Sequence, residues 1–172
     1  MYTGVDALVL FLDSIEWNSY VFNILHTENK DVLIFSTYYY GWCIGCNISQ
    51  VAKIPELCGD NLWIYSRNDD QVLPILSLGG IGVISVLSNI MPKFVHNMVY
   101  DYLSGNHTLA KDSQIKSIPL IDCLFSEVNP IPVKYALQLM NYDVGEPRLP
   151  LISMSLAGKE KLKQEMQKQK II

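Results

Sequence analysis

Basic charge is in short supply in this chain, where 13 Lys and Arg stand against 17 Asp and Glu and leave a net charge of −4. That balance gives no positive field for counterion-releasing contacts with nucleic acid and no polybasic stripe for an anionic bilayer, so neither is expected as a partner. Long apolar runs are missing as well. The longest, around Val5 to Leu12 and Ile81 to Leu87, have strand length and fall far short of the roughly 20 residues that bridge a membrane, so no membrane span is expected. The first apolar run contains Asp6 and has no Lys or Arg ahead of it, unlike the charged opening of a secretory leader. The expected location is the cytoplasm.

Metal and redox signatures are thin. The four cysteines Cys43, Cys46, Cys58 and Cys123 contain one C-x-x-C pair, without the second pair or spaced histidines of a structural zinc site. No metal is expected, and the thiols read as free residues of a reducing compartment. His26, His96 and His107 are scattered, with no serine or carboxylate at triad spacing, and read as surface or packing residues. Gly79, Gly80 and Gly82 lack the flanking residues of a phosphate loop and read as a tight passage between helix and strand.

What is present suits a compact domain: 172 residues, 49% of them hydrophobic and 17% charged. Val5 to Leu12, Val32 to Thr37, Leu62 to Ser66 and Gly82 to Leu87 read as four strands. They show little alternation, the mark of strands covered on both faces in a parallel sheet. Helices are expected between them. One is Ile48 to Cys58, bent at Pro55; another runs through Val72, Leu73, Ile75 and Leu76, capped by Asn68, Asp69 and Asp70 and stopped at Gly79 and Gly80.

From Pro92 the pattern turns helical. Phe94, Val95, Met98, Val99, Tyr102 and Leu103 share one face, with Gly105 as a stop; Leu109 to Phe125 follows, broken near Pro119. A further helix starts after Asn129 with Pro130 and Pro132, and a lysine-rich helix spans about Ser155 to Lys170, its charge read as a solvated face. The chain is expected to divide into an α/β part over residues 1–90 and a helical part over 91–172, packed as one unit.

Three ordered motifs carry a resemblance. Asn68-Asp69-Asp70-Gln71 leads to Leu78-Gly79-Gly80-Ile81-Gly82-Val83-Ile84-Ser85-Val86 and Ser88-Asn89-Ile90-Met91-Pro92. Phe125-Ser126-Glu127-Val128-Asn129-Pro130-Ile131-Pro132-Val133-Lys134-Tyr135-Ala136-Leu137 follows, then Arg148-Leu149-Pro150-Leu151. These segments resemble the seventh-to-eighth strand region and the post-barrel helices of the dihydrodipicolinate synthase family of pyruvate-dependent lyases. The resemblance implies a TIM (β/α)8 barrel, of which a chain this short holds about the C-terminal half, followed by C-terminal helices; a complete barrel takes about 250 residues.

For chemistry, the resemblance implies condensation of pyruvate with aspartate semialdehyde in lysine biosynthesis, through a Schiff base on a sixth-strand lysine and without a further cofactor. Iminium formation acidifies the pyruvate methyl group and creates an enamine nucleophile. Ile84 falls where the family's eighth-strand backbone borders pyruvate. Tyr38 falls on the fifth-strand tyrosine that relays protons, although a tyrosine on an apolar strand is equally a packing residue.

Other positions depart from the family. Cys43 stands where an arginine would hold a substrate carboxylate, and Asp13-Ser14-Ile15 replaces the Pro-Tyr-Tyr motif after the fourth strand. Of the sixth-strand segment only Asn47-Ile48-Ser49 remains, as if roughly thirty residues, about one βα unit with the Schiff-base lysine, had been removed. Lys30, Lys53 and Lys134 sit in expected loop or helix positions, away from strand C-terminal ends. Arg67 stands where a small residue is expected and would disturb the turn if it needs positive φ.

Two readings stay open. One is a family lyase that is impaired or inactive alone, or that needs complementary segments; the other is a non-catalytic interaction partner of a full-length homologue. A different pyruvate lyase of the same superfamily and a decayed gene product are further alternatives. Unpaired strand edges point to a homo-oligomer or to association with a homologue.

Overall fold

The computed structural model describes residues 32–35, 48–58 and 62–172. Three parallel strands lie in the order β1 (Val32–Phe35), β2 (Leu62–Ser66), β3 (Gly82–Val83). Val32 pairs with Leu62 at one end of the first ladder, and Tyr65 and Ser66 pair with Gly82 and Val83 in the second. The helices are α1 (Ile48–Cys58), α2 (Val72–Ser77), α3 (Pro92–Leu103), α4 (His107–Leu124), α5 (Ile131–Leu139) and α6 (Leu156–Lys168). The expected strand over Val5 to Leu12 lies outside the described residues.

The two faces of the sheet differ. Ile64 is buried against Val51 of α1 and Ile75 of α2, and Val83 packs against Val72, Leu76 and Met98. These side chains therefore point towards the helices. Tyr65 and its register partner Gly82 share the opposite face, where a Cβ on Gly82 would meet the Tyr65 ring at 3.1 Å. Glycine at this position leaves room for that ring.

Among the described residues, the largest core cluster lies beyond the sheet. Leu87 and Ile90 join Val95 of α3, Leu120, Ile121, Cys123 and Leu124 of α4, Ile131, Val133 and Ala136 of α5, and Leu162 and Met166 of α6. Helix α6 enters this core through Ser155, whose side chain accepts from the Gly158 amide at 3.1 Å and satisfies one of the unpaired donors of a helix start.

Four expectations need correction. The last strand does not run from Gly82 to Leu87: it ends at Val83, because Leu87–Asn89 winds into a 3-10 turn whose first amides are taken by a side chain. Pro119 does not break α4, which is continuous. Proline removes one donor to the carbonyl four residues earlier, but Pro119 and Ile115 are exposed, so the ring falls on the solvent side of the helix while the buried face continues through Leu120 and Ile121. Leu103 is 56% exposed rather than part of the buried face of α3. Asn68 supplies no side-chain cap to the turn Asp69–Gln71, and Asp69 caps a different segment, as described below.

Candidate active-site rim

Parallel sheets flanked by helices carry their ligand sites at the C-terminal ends of the strands. Here those ends are Ser66 on β2 and the residues following Val83 on β3. The Ile84 amide donates to the Ser66 carbonyl at 2.7 Å, which continues the β2–β3 pairing one residue past the strand. Ile84 is 45% exposed and, by strand alternation from Gly82, belongs to the Tyr65 face. The Ser66 hydroxyl donates to the Asn68 carbonyl at 2.8 Å and fixes the turn leaving β2. Arg67 is exposed and does not adopt positive φ, so the turn accommodates it without strain.

A buried polar chain supports this rim. Asp69 is 1% exposed, and its Oδ2 accepts from the Val86 and Leu87 amides, each at 2.9 Å. Its backbone carbonyl accepts from Gln114 Nε2 at 2.8 Å, and Gln114 Oε1 accepts from the Leu73 amide at 3.3 Å. Burial pushes the Asp69 carboxyl above its ordinary value, while the Ser85 hydroxyl and the Leu87 and Val86 amides pull it down. Nothing local in the sequence announces this arrangement. Asp69 reads as an ordinary helix cap and Gln114 as one polar residue of an amphipathic helix.

Of the residues singled out from sequence, Ile84 lies on the rim. Tyr38, Cys43 and Lys30 fall outside the described residues. Lys53 is exposed on α1, and Lys134 lies on α5 with its Nζ donating to the Glu146 carbonyl at 3.0 Å, so neither stands at a strand end. Around Lys134, the side chains of Gln138, Glu146 and Ser153 form a polar recess on α5 and the loop after it, with Ser153 donating to Glu146 at 2.9 Å. Among the described residues, no group of three His, Cys, Asp or Glu is placed to hold a metal ion. No described helix is long and apolar enough to cross a membrane.

Residues 43–169 match the model of the Dihydrodipicolinate synthetase family. The chain belongs to that family. It is 53% identical over 120 residues to the 4-hydroxy-tetrahydrodipicolinate synthase of Caldicellulosiruptor saccharolyticus, covering 70% of this chain and 40% of the relative. It is 54% identical over 108 residues to that of Clostridium perfringens, covering 63% and 37%. The chain thus spans about 40% of the length of the curated relatives it matches.

Solved dihydrodipicolinate synthases superimpose on it too. The Thermotoga maritima structure gives a TM-score of 0.70 at 36% identity over 73% of this chain and 44% of that one. The Methylacidiphilum fumariolicum structure gives 0.76 at 30% identity over 88% and 48%. The family membership expected from the three motifs therefore stands, and residues 43–169 hold all three of them.

Proposed function

We propose that this chain is a dihydrodipicolinate synthase-like protein that retains the last strands of a partial barrel and the C-terminal helices, and that does not form the pyruvate Schiff base on its own. The observation that carries the reading is a lysine-free sheet. No lysine occurs between Lys30 and Lys53 or between Lys53 and Lys93, so β1, β2, β3 and the residues directly after each strand offer no amine. An imine needs that amine within reach of the carbonyl carbon, and the rim holds in its place the Ile84 backbone, the Ser66 turn and Arg67. In this reading the Ile84 backbone borders the pyruvate position, and Tyr38 holds the place of the family's proton relay without a Schiff base to serve.

The test is reduction of the purified, folded chain with borohydride in the presence of pyruvate, followed by intact mass. We expect the unmodified mass. A pyruvyl addition, mapped to a lysine by peptide analysis, would overturn the reading.

One observation favours the second reading, a non-catalytic partner of a full-length homologue. Val128 is 64% exposed, Ile152 70%, Leu156 85% and Leu149 88%, and Val128 and Leu156 flank the hydrogen bond between Glu127 and Ser155. Bare apolar side chains of this size suit a protein interface. Stable co-purification with a full-length synthase, with no turnover added by this chain, would select that reading.

A further inference from the structure

The rim loop after β3 is held by side chains remote in sequence. Val86 and Leu87 begin the 3-10 turn Leu87–Asn89, for which Val86 itself supplies no side-chain cap, and their two amides are satisfied by Asp69 Oδ2 from 17 and 18 residues away. Helix α2 has the same need, since Gln71 supplies no side-chain cap and the Leu73 amide is one of the unpaired donors of a helix start. Gln114 of α4 answers it from 41 residues away, and the same amide group donates to the Asp69 carbonyl. Gln114 is 7% exposed and Asp69 1%, so water cannot replace either partner at low cost.

We propose that Gln114 and Asp69 form a positioning relay through which helix α4 sets the strand-end loop Ile84–Leu87. Gln114 fixes the carbonyl and hence the side-chain direction of Asp69. Asp69 in turn fixes the amides that follow Ile84. The order of the rim is therefore governed by the C-terminal helices as well as by the sheet. For its bearing on pyruvate the relay rests on the function proposed above, in which Ile84 borders that ligand; its existence does not.

The chemistry of Asp69 supplies a discriminating pair of variants. Asp69→Asn keeps an acceptor oxygen for the Val86 and Leu87 amides, whereas Asp69→Ala removes it. Gln114→Leu removes both bonds of Gln114 while preserving much of its volume.

The experiment is residue-resolved amide hydrogen exchange on the full chain without pyruvate, so that a failed borohydride test has no influence on it. Asp69→Ala should speed exchange at Val86 and Leu87 about tenfold or more, and Gln114→Leu should do so at Leu73, Val86 and Leu87. Leu120 and Leu124 should keep their native rates in both, and Asp69→Asn should leave Val86 and Leu87 close to native. Native rates at Val86 and Leu87 in Gln114→Leu would overturn the relay. So would parallel acceleration at Leu120 and Leu124, which marks general destabilisation. If Asp69→Ala does not fold, Asp69→Asn and Gln114→Leu decide alone: equal rates at Val86 and Leu87 in those two reject the relay, and faster exchange in Gln114→Leu only supports it.

Discussion

Asp69 keeps a carboxylate in an almost fully buried place where one oxygen takes two amides and the other, Oδ1, has no hydrogen-bond partner. Burial outweighs the donors and raises its pKa. A carboxyl whose folded pKa is raised binds its proton more tightly in the folded state, so its stabilising contribution is complete below the unfolded value of about 3.9 and is lost as pH rises through the folded value. Asp69→Asn does not titrate. Its stability relative to the native chain should therefore increase as pH is raised from about 4, a trend readable from urea midpoints across pH. A flat difference would mean that the amides hold the carboxylate as well as water does. Cys123 shows the same physics, since burial comes first in raising its thiol and Lys161 partly offsets it.

At the scale of elements, the passage from α2 to β3 is a tight joint. The Gly80 amide donates to the Ile75 carbonyl at 2.9 Å, and a Cβ at Gly80 would meet both that oxygen and Ile75 Cγ2 at 2.7 Å. The oxygen belongs to the backbone and cannot swing aside. Gly80→Ala should cost about 1–3 kcal/mol in urea denaturation, whereas alanine at Ser77, which is exposed, should change stability by no more than about 0.5 kcal/mol.

Elements were readable from sequence where a local signal sufficed. Residues Leu62–Ser66, Pro92–Leu103 and Ile131–Leu139 follow from apolar periodicity and proline placement. The early end of β3 and the continuity of α4 through Pro119 were not readable. One depends on a carboxylate 17 residues upstream, and the other on which helix face happens to meet solvent.

At the scale of the molecule, the largest core among the described residues lies where α3, α4, α5 and α6 meet. Leu162, Met166, Leu120 and Leu124 are each 0% exposed in a single cluster with Leu87 and Ile90. Leu162→Ala should cost about 2–5 kcal/mol, read from the loss of helical circular dichroism in urea. A cost below about 1 kcal/mol would show that α6 is not integral to the core. The family was legible in three motifs because each keeps its residues in order along the chain. At the candidate rim, sequence reading pointed to Ile84, whereas the contact between Gln114 and Asp69 was not legible, because it joins residues 45 apart that no motif spans.

That distance also has a bearing on synthesis. The residue that completes the start of α2 is made 41 positions later, so at roughly 5–20 residues per second the helix start waits about two to eight seconds for its partner. Over that interval the Leu73 amide and the Asp69 carbonyl are without the side chain that will join them. Ribosome pausing before Gln114 would lengthen that interval.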